Sequence, residues 1–370
     1  MDKATVRNHS AYVDSMRHRA NLDILRTFAV SSVLLQHLIS TLVTHAGFHN
    51  IAVIQFTSQI GRAGVIAFFV HTSLVLMYSI ERLSQSAGSV TLRFFLRRFF
   101  RIYPLSIFCI TLALILHIPS NTWEEAGIIT SGVIVSNLLL VQNLITKTSV
   151  LGPLWSLPYE VQMYLVLPAL YYLSLKKRGV MYLCGLLALF CALGFLIARE
   201  FGGHLNMAAY VPCFLCGVLC YALRDRVRPF IPSMLWPPFV LLLISGYCMA
   251  NLRRVPKFWV GWIFCIVIGL AINAFQESEY RPLNAVAERV ALYSYGMYLI
   301  HVPVLFLVFV ILGLRNLYFG PLLFIVITIV LSILTYHLIE SPFIDIGKRL
   351  SSRPRTSPFP HPLHDVREGS

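Results

Sequence analysis

Apolar residues fall along this chain in long blocks, not in short alternating stretches. The blocks lie at roughly 22–43, 60–80, 103–119, 126–143, 154–175, 180–199, 207–223, 232–251, 258–275, 290–311 and 321–342. Each is about as long as an α-helix must be to cross a hydrocarbon core of roughly 30 Å. The pattern predicts an all-α, polytopic transmembrane helix bundle. The block at 126–143 is the weakest, because Gly132, Ser136 and Asn137 interrupt it.

The positions of the bases decide whether that block spans. If it does not, 23 of the 30 lysines and arginines fall on the N-terminal side of the membrane and seven on the other. If it does, the split becomes 16 to 14. Basic loops stay cytoplasmic, so the first arrangement is expected: about ten spans, both termini cytoplasmic, and 126–143 a re-entrant or interfacial segment. The outer loop NLRRVPK (251–257) is an exception to the rule. Three regions follow: a cytoplasmic N-terminal segment (1–20), a transmembrane domain (21–348) and a disordered, Pro- and Ser-rich cytoplasmic tail (349–370).

Composition agrees with this picture. Hydrophobic residues make up 57% and charged residues 12%, where a soluble domain carries about a quarter charged. The net charge of +14 sits in short clusters between apolar blocks, which points to a lipid bilayer and not to nucleic acid. Most of the eight cysteines lie inside apolar blocks. Cys213, Cys216 and Cys220 are expected to be buried small hydrophobes, not metal ligands. The first block is too long for a secretory signal peptide and no small-residue cleavage pattern follows it.

Four stretches carry candidate chemistry. In NLDILRTFAVSSVLLQH, Arg26 and His37 are eleven residues apart, about three helical turns, so both share a face with a rise of about 16 Å between them. Either they line a polar pathway, or Arg26 snorkels to an interface and His37 packs. A neutral imidazole at that depth can serve as general base toward a hydroxyl. In RFFLRRFFRIYP, the Arg93, Arg97 and Arg101 spacing and the Arg98–Arg101 pair give a cationic helix face. It suits the phosphates of a nucleotide-bearing donor, or anionic lipid. In LGPLWSLPYEVQMYLVLP, Pro158 marks a helix start, and Glu160 and Tyr164 share a face. This loop is expected on the extracytoplasmic side, near His37. Glu160 there either contacts substrate or merely complements the helix N-terminus. In YSYGMYLIHVPV, His301 sits at membrane depth with Tyr293, Tyr295 and Tyr298 nearby. His45 and His49 form an HxxxH without a third ligand, so no metal site is expected.

In this order these stretches resemble the acyltransferase-3 family of bacterial integral-membrane acyltransferases, from about Asn21 to Leu350. LDILRTFAVSSVLLQH is similar to the family's Arg-x10-His helix, RRFFRIYP to its Arg-x-x-Arg motif, and GPLWSLPYEVQMYLVLP to its Trp-Ser-Leu…Glu stretch. GRAGVIAFFV, YSYGMYLIHVPV and YHLIESPFIDIGKRL resemble its second and closing helices. The chain departs at Phe68-Phe69-Val70-His71-Thr72-Ser73-Leu74, where the family reads Phe-Phe-Val-x-Ser-Gly-Phe; a glycine of close helix contact is replaced by Ser73, and His71 is an added polar group.

The resemblance implies O-acyl, usually O-acetyl, transfer from cytoplasmic acyl-CoA to a saccharide or other hydroxyl acceptor, with no bound cofactor. It implies a bacterial inner-membrane location. His37 and Glu160 are then the expected catalytic residues, His37 as base or acyl carrier and Glu160 orienting it or the acceptor. Arg26, Arg98, Arg101, Trp155, Ser156, Tyr164 and His301 are the expected substrate contacts, with Arg98 and Arg101 on the donor phosphates. The rival classes are a transporter or flippase for a polar lipid-linked or sugar substrate, and a membrane sensor.

Overall fold

The structure, a computed structural model, describes residues 20–45, 51–86, 88–118, 129–200, 207–252, 258–314 and 316–352. Residues 1–19, His49 of the HxxxH pair, most of the basic loop 251–257 and the tail from 353 lie outside the described residues. Among those described the chain is helical and forms no strand. In a bilayer an unpaired backbone N–H or C=O has no water to bond, so apolar blocks become helices whose ladders satisfy themselves.

Thirteen helices are described: α1 (Ala20–His45), α2 (Ile51–Ser84), α3 (Val90–Ile115), α4 (Ser131–Leu138), α5 (Gln142–Ile145), α6 (Leu157–Ser174), α7 (Gly179–Glu200), α8 (Met207–Leu223), α9 (Trp236–Ala250), α10 (Phe258–Ala274), α11 (Arg281–Leu305), α12 (Phe319–Thr335) and α13 (Ser341–Ser351). Among the described residues, seven helical stretches are long and apolar enough to cross a membrane. The helices α6, α8 and α10 have 17 or 18 residues, near the lower limit for a span. The last helix runs to Ser351, past the expected boundary at 348.

The centre of the bundle is α2. It is 34 residues long and mostly buried, and it packs against α1, α3, α6, α8, α9 and α10. Two glycines set its closest approaches. A Cβ on Gly64 would lie 2.5 Å from the Ala29 carbonyl oxygen of α1. A Cβ on Gly217 of α8 would lie 2.1 Å from Ser73 Oγ and 2.2 Å from the Val70 carbonyl oxygen. Where the family's second helix has its glycine this chain has Ser73, and the helix opposite supplies the missing space.

Among the described residues, the 126–143 block forms no helix long enough to span. The helix α4 has eight residues, about 12 Å of rise. The chain then turns through α5 and a 3-10 turn, Gly152–Ser156, whose Pro153, Leu154 and Ser156 are buried. The interrupting polar residues hold this irregular backbone together. The fully buried Asn137 donates to the Thr148 carbonyl (2.8 Å) and accepts from Val150 N–H (3.0 Å). Gln142 donates to the Leu154 carbonyl (2.9 Å). Irregular backbone is tolerated at depth when protein groups satisfy it in this way.

That detour sets the level of α6. Its first residues are already buried, and its other end meets the end of α2, where Ser84 Oγ and Tyr171 Oη are 3.1 Å apart. It runs antiparallel to α3, with Tyr164 packed edge-on against Phe94. At the start of α1, Asn21 accepts from Ser278 N–H and donates to the Gln276 carbonyl, tying α1 to the segment leading into α11.

Candidate functional site

A cavity of about 730 Å³, counting its open mouth, lies between α1, α2, α3, α6 and α11. Arg26, Arg98, Arg101, Glu160, Tyr164 and Ser156, all singled out by the sequence, line it together. They come from α1, α3, α6 and the 3-10 turn before it. Arg26 projects from the second turn of α1 and donates from Nε to Ser294 Oγ of α11 (2.6 Å). Pro158 stands in the first turn of α6, as expected, and one turn later Tyr164 donates to Glu160 Oε1 (2.5 Å). Glu160 stands within electrostatic reach of Arg26, Arg98 and Arg101.

The four arginines of α3 do not act as one cationic face. Arg93 donates to the Leu83 and Ser86 carbonyls (2.6 and 2.9 Å), capping the end of α2. Arg97 donates to Ser351 Oγ of α13 (2.9 Å). Arg101 forms an ion pair with Glu340 (2.9 Å), whose side chain is fully buried. Arg98 lines the cavity, 6.0 Å from the Phe94 ring centroid, and its Nε has no hydrogen-bond partner among the described residues. Three guanidinium groups therefore face the carboxylates of Glu160 and Glu340, with a single ion pair among the described residues of the cavity. Such an arrangement can receive an anion.

Glu160 is not beside His37. The sequence pattern predicts this loop at the extracytoplasmic side near His37; the buried 3-10 turn instead lowers the start of α6 to the level of Arg98. His37 shares a face of α1 with Arg26, as the spacing predicts, and both meet α11. Ser294 and His301, the residues they meet, are two turns apart. His37 is half-buried and its ring centroid lies 5.0 Å from that of the fully buried His301. Neither histidine lines the arginine cavity.

Tyr298 stands between the two sites. Its hydroxyl donates to the Pro153 carbonyl (2.9 Å) and lies 2.7 Å from Ser156 Oγ, and its ring is 6.2 Å from that of His301. Trp155 lies outside the cavity, in an aromatic cluster with Tyr159 and Tyr210.

Sequence reasoning did not assign Glu340 or Ser294 to the site. Glu340 ends a short π turn, Tyr336–Glu340, just before Pro342 of α13. A carboxylate closing an apolar block ahead of a proline is the signal that was there to use. His71, noted as an added polar group, lies at the level of Arg26, is 3% exposed and lines the cavity.

An all-helical bundle with a buried cationic cavity, and a histidine pair beyond it, defines an integral-membrane protein whose interior can receive an anion. The family model described as an acyltransferase domain, that of the acyltransferase-3 family, matches residues 19–337. The chain belongs to this family and is a membrane acyltransferase. It is 26% identical over 309 residues to "Acyltransferase MdmB" of Streptomyces mycarofaciens, covering 76% of this chain and 77% of that protein. No solved structure matches the chain.

Proposed function

We propose that this protein transfers a small acyl group, of acetyl size, from cytoplasmic acyl-CoA to a hydroxyl of a saccharide or related acceptor. The protein would sit in a bacterial inner membrane with about ten spans and both termini in the cytoplasm. The observation that carries the reading is the unbalanced cavity: Arg26, Arg98 and Arg101 with one ion pair between them. Donor phosphates make up the missing negative charge at Arg98 and Arg101. The long flexible arm of the donor runs past Arg26 toward His37, about 16 Å farther along α1. Tyr298 and the 3-10 turn that pins it border that route.

In the reaction His37 removes the acceptor's proton as general base. The acceptor oxygen bonds the acyl carbon and the carbon–sulfur bond breaks. The proton passes from His37 to the departing thiolate. Glu160, held by Tyr164, serves the donor path by keeping Arg98 and Arg26 oriented. Arg26 stands too far from His37 to be its oxyanion donor.

Two measurements test this. In cells at matched expression, His37→Ala should reduce O-acylation by about 10²-fold or more; near-normal product removes His37 from the mechanism. Arg98→Ala with Arg101→Ala should weaken acyl-CoA binding; unchanged affinity returns both arginines to topology anchors, and leaves room for a carrier without acyl transfer.

A further inference from the structure

His301 is fully buried, meets His37 and has no role in the mechanism so far. Its Nδ1 lies 3.1 Å from the Met297 carbonyl oxygen, one turn back on α11. A carbonyl only accepts, so in the neutral ring Nδ1 carries the proton and Nε2 carries a lone pair. That Nε2 is buried and has no hydrogen-bond partner among the described residues. Buried acceptors are seldom left unpaired, so the site calls for a donor.

Two donors stand near it. The Tyr298 hydroxyl is already committed to the Pro153 carbonyl. The other is the imidazole N–H of His37. The two ring centroids are 5.0 Å apart and the rings are tilted by 53°; turning the half-buried His37 ring about its Cβ–Cγ bond would bring one of its nitrogens to Nε2 at a hydrogen-bond distance of about 2.6–3.2 Å.

We propose that His301 is the positioning residue for His37: its Nε2 accepts the His37 N–H and fixes the tautomer of that ring. The opposite nitrogen of His37 then presents its lone pair to the acceptor hydroxyl. The Met297 carbonyl orients the pair from behind, as a third group commonly orients a catalytic base. This rests on the reading of His37 as the base.

The test compares two polar variants of the full chain. His301→Asn keeps a donor amide for the Met297 carbonyl but leaves the Nε2 position empty. His301→Gln sets an acceptor oxygen near where Nε2 stood. Release of CoA thiol from acetyl-CoA is followed in membranes carrying each chain at matched amounts, with thermal unfolding recorded for each. The Asn variant should lose about 10²-fold in kcat with KM for acetyl-CoA little changed. The Gln variant should recover at least about tenfold of that loss. Equal rates in two folded variants, or an Asn variant faster than Gln, overturns the proposal. A fully active His37→Ala chain instead overturns the base reading beneath it, whatever the His301 variants do.

Discussion

At the scale of single residues, the site is a matter of who faces whom. Arg101 and Glu340 are 239 positions apart in the chain and 2.9 Å apart in space. Glu340 is fully buried, and a carboxylate in such a place persists only with a partner. Glu340→Gln should destabilise the protein by roughly 2–3 kcal/mol, less than the full 3–5 of a broken buried pair because Arg101 opens onto the cavity. Thermal unfolding in detergent measures it. Added acyl-CoA should raise the melting temperature of the variant more than that of the parent, since its phosphates would become the counter-charge of Arg101. An unchanged melting temperature without ligand would mean the ion pair does not hold α3 to the closing helices.

At the scale of elements, the departure from the family pattern in α2 is absorbed by α8. Ser73 turns its hydroxyl onto the Phe69 and Val70 carbonyls of its own helix, and Gly217 gives it room. Gly217→Ala should cost about 1–3 kcal/mol, the usual range for overpacking a close contact. Restoring glycine at 73 should not rescue it, because the Val70 carbonyl, 2.2 Å from the new Cβ, is backbone and cannot swing aside. Yield and melting temperature of Gly217→Ala, alone and with Ser73→Gly, decide this; full rescue by Ser73→Gly would show that the serine hydroxyl was the sole obstacle. The same scale explains the misplaced Glu160. Its helix was legible from Pro158 and the apolar run, but its depth depends on Asn137 and Gln142 bonding backbone eleven to thirteen residues away.

At the scale of the whole molecule, what matters is which end of each helix meets the cytoplasm. The excess of lysine and arginine on one side and the short α4 both favour an even number of spans. Reporter cysteines test it: Lys177→Cys should label only from the cytoplasmic side and Lys147→Cys only from the opposite side, both positions being exposed. The swapped pattern, Lys147→Cys labelled only from the cytoplasmic side and Lys177→Cys only from the opposite side, would mean that the 126–143 block spans and would invert every helix after it.

What the chain determined by itself is everything that depends on periodicity and composition. The helix blocks follow from apolar length, the shared face of Arg26 and His37 from the 100° step of the helix, and the weak block from its own polar residues. The arginines of α3 were legible as a group, but not their separate partners. The meeting of Glu160 with Arg98, of Arg101 with Glu340 and of His37 with His301 was decided only by packing. Those contacts join residues tens to hundreds of positions apart, and local pattern carries no information about which helix a side chain will find across the bundle.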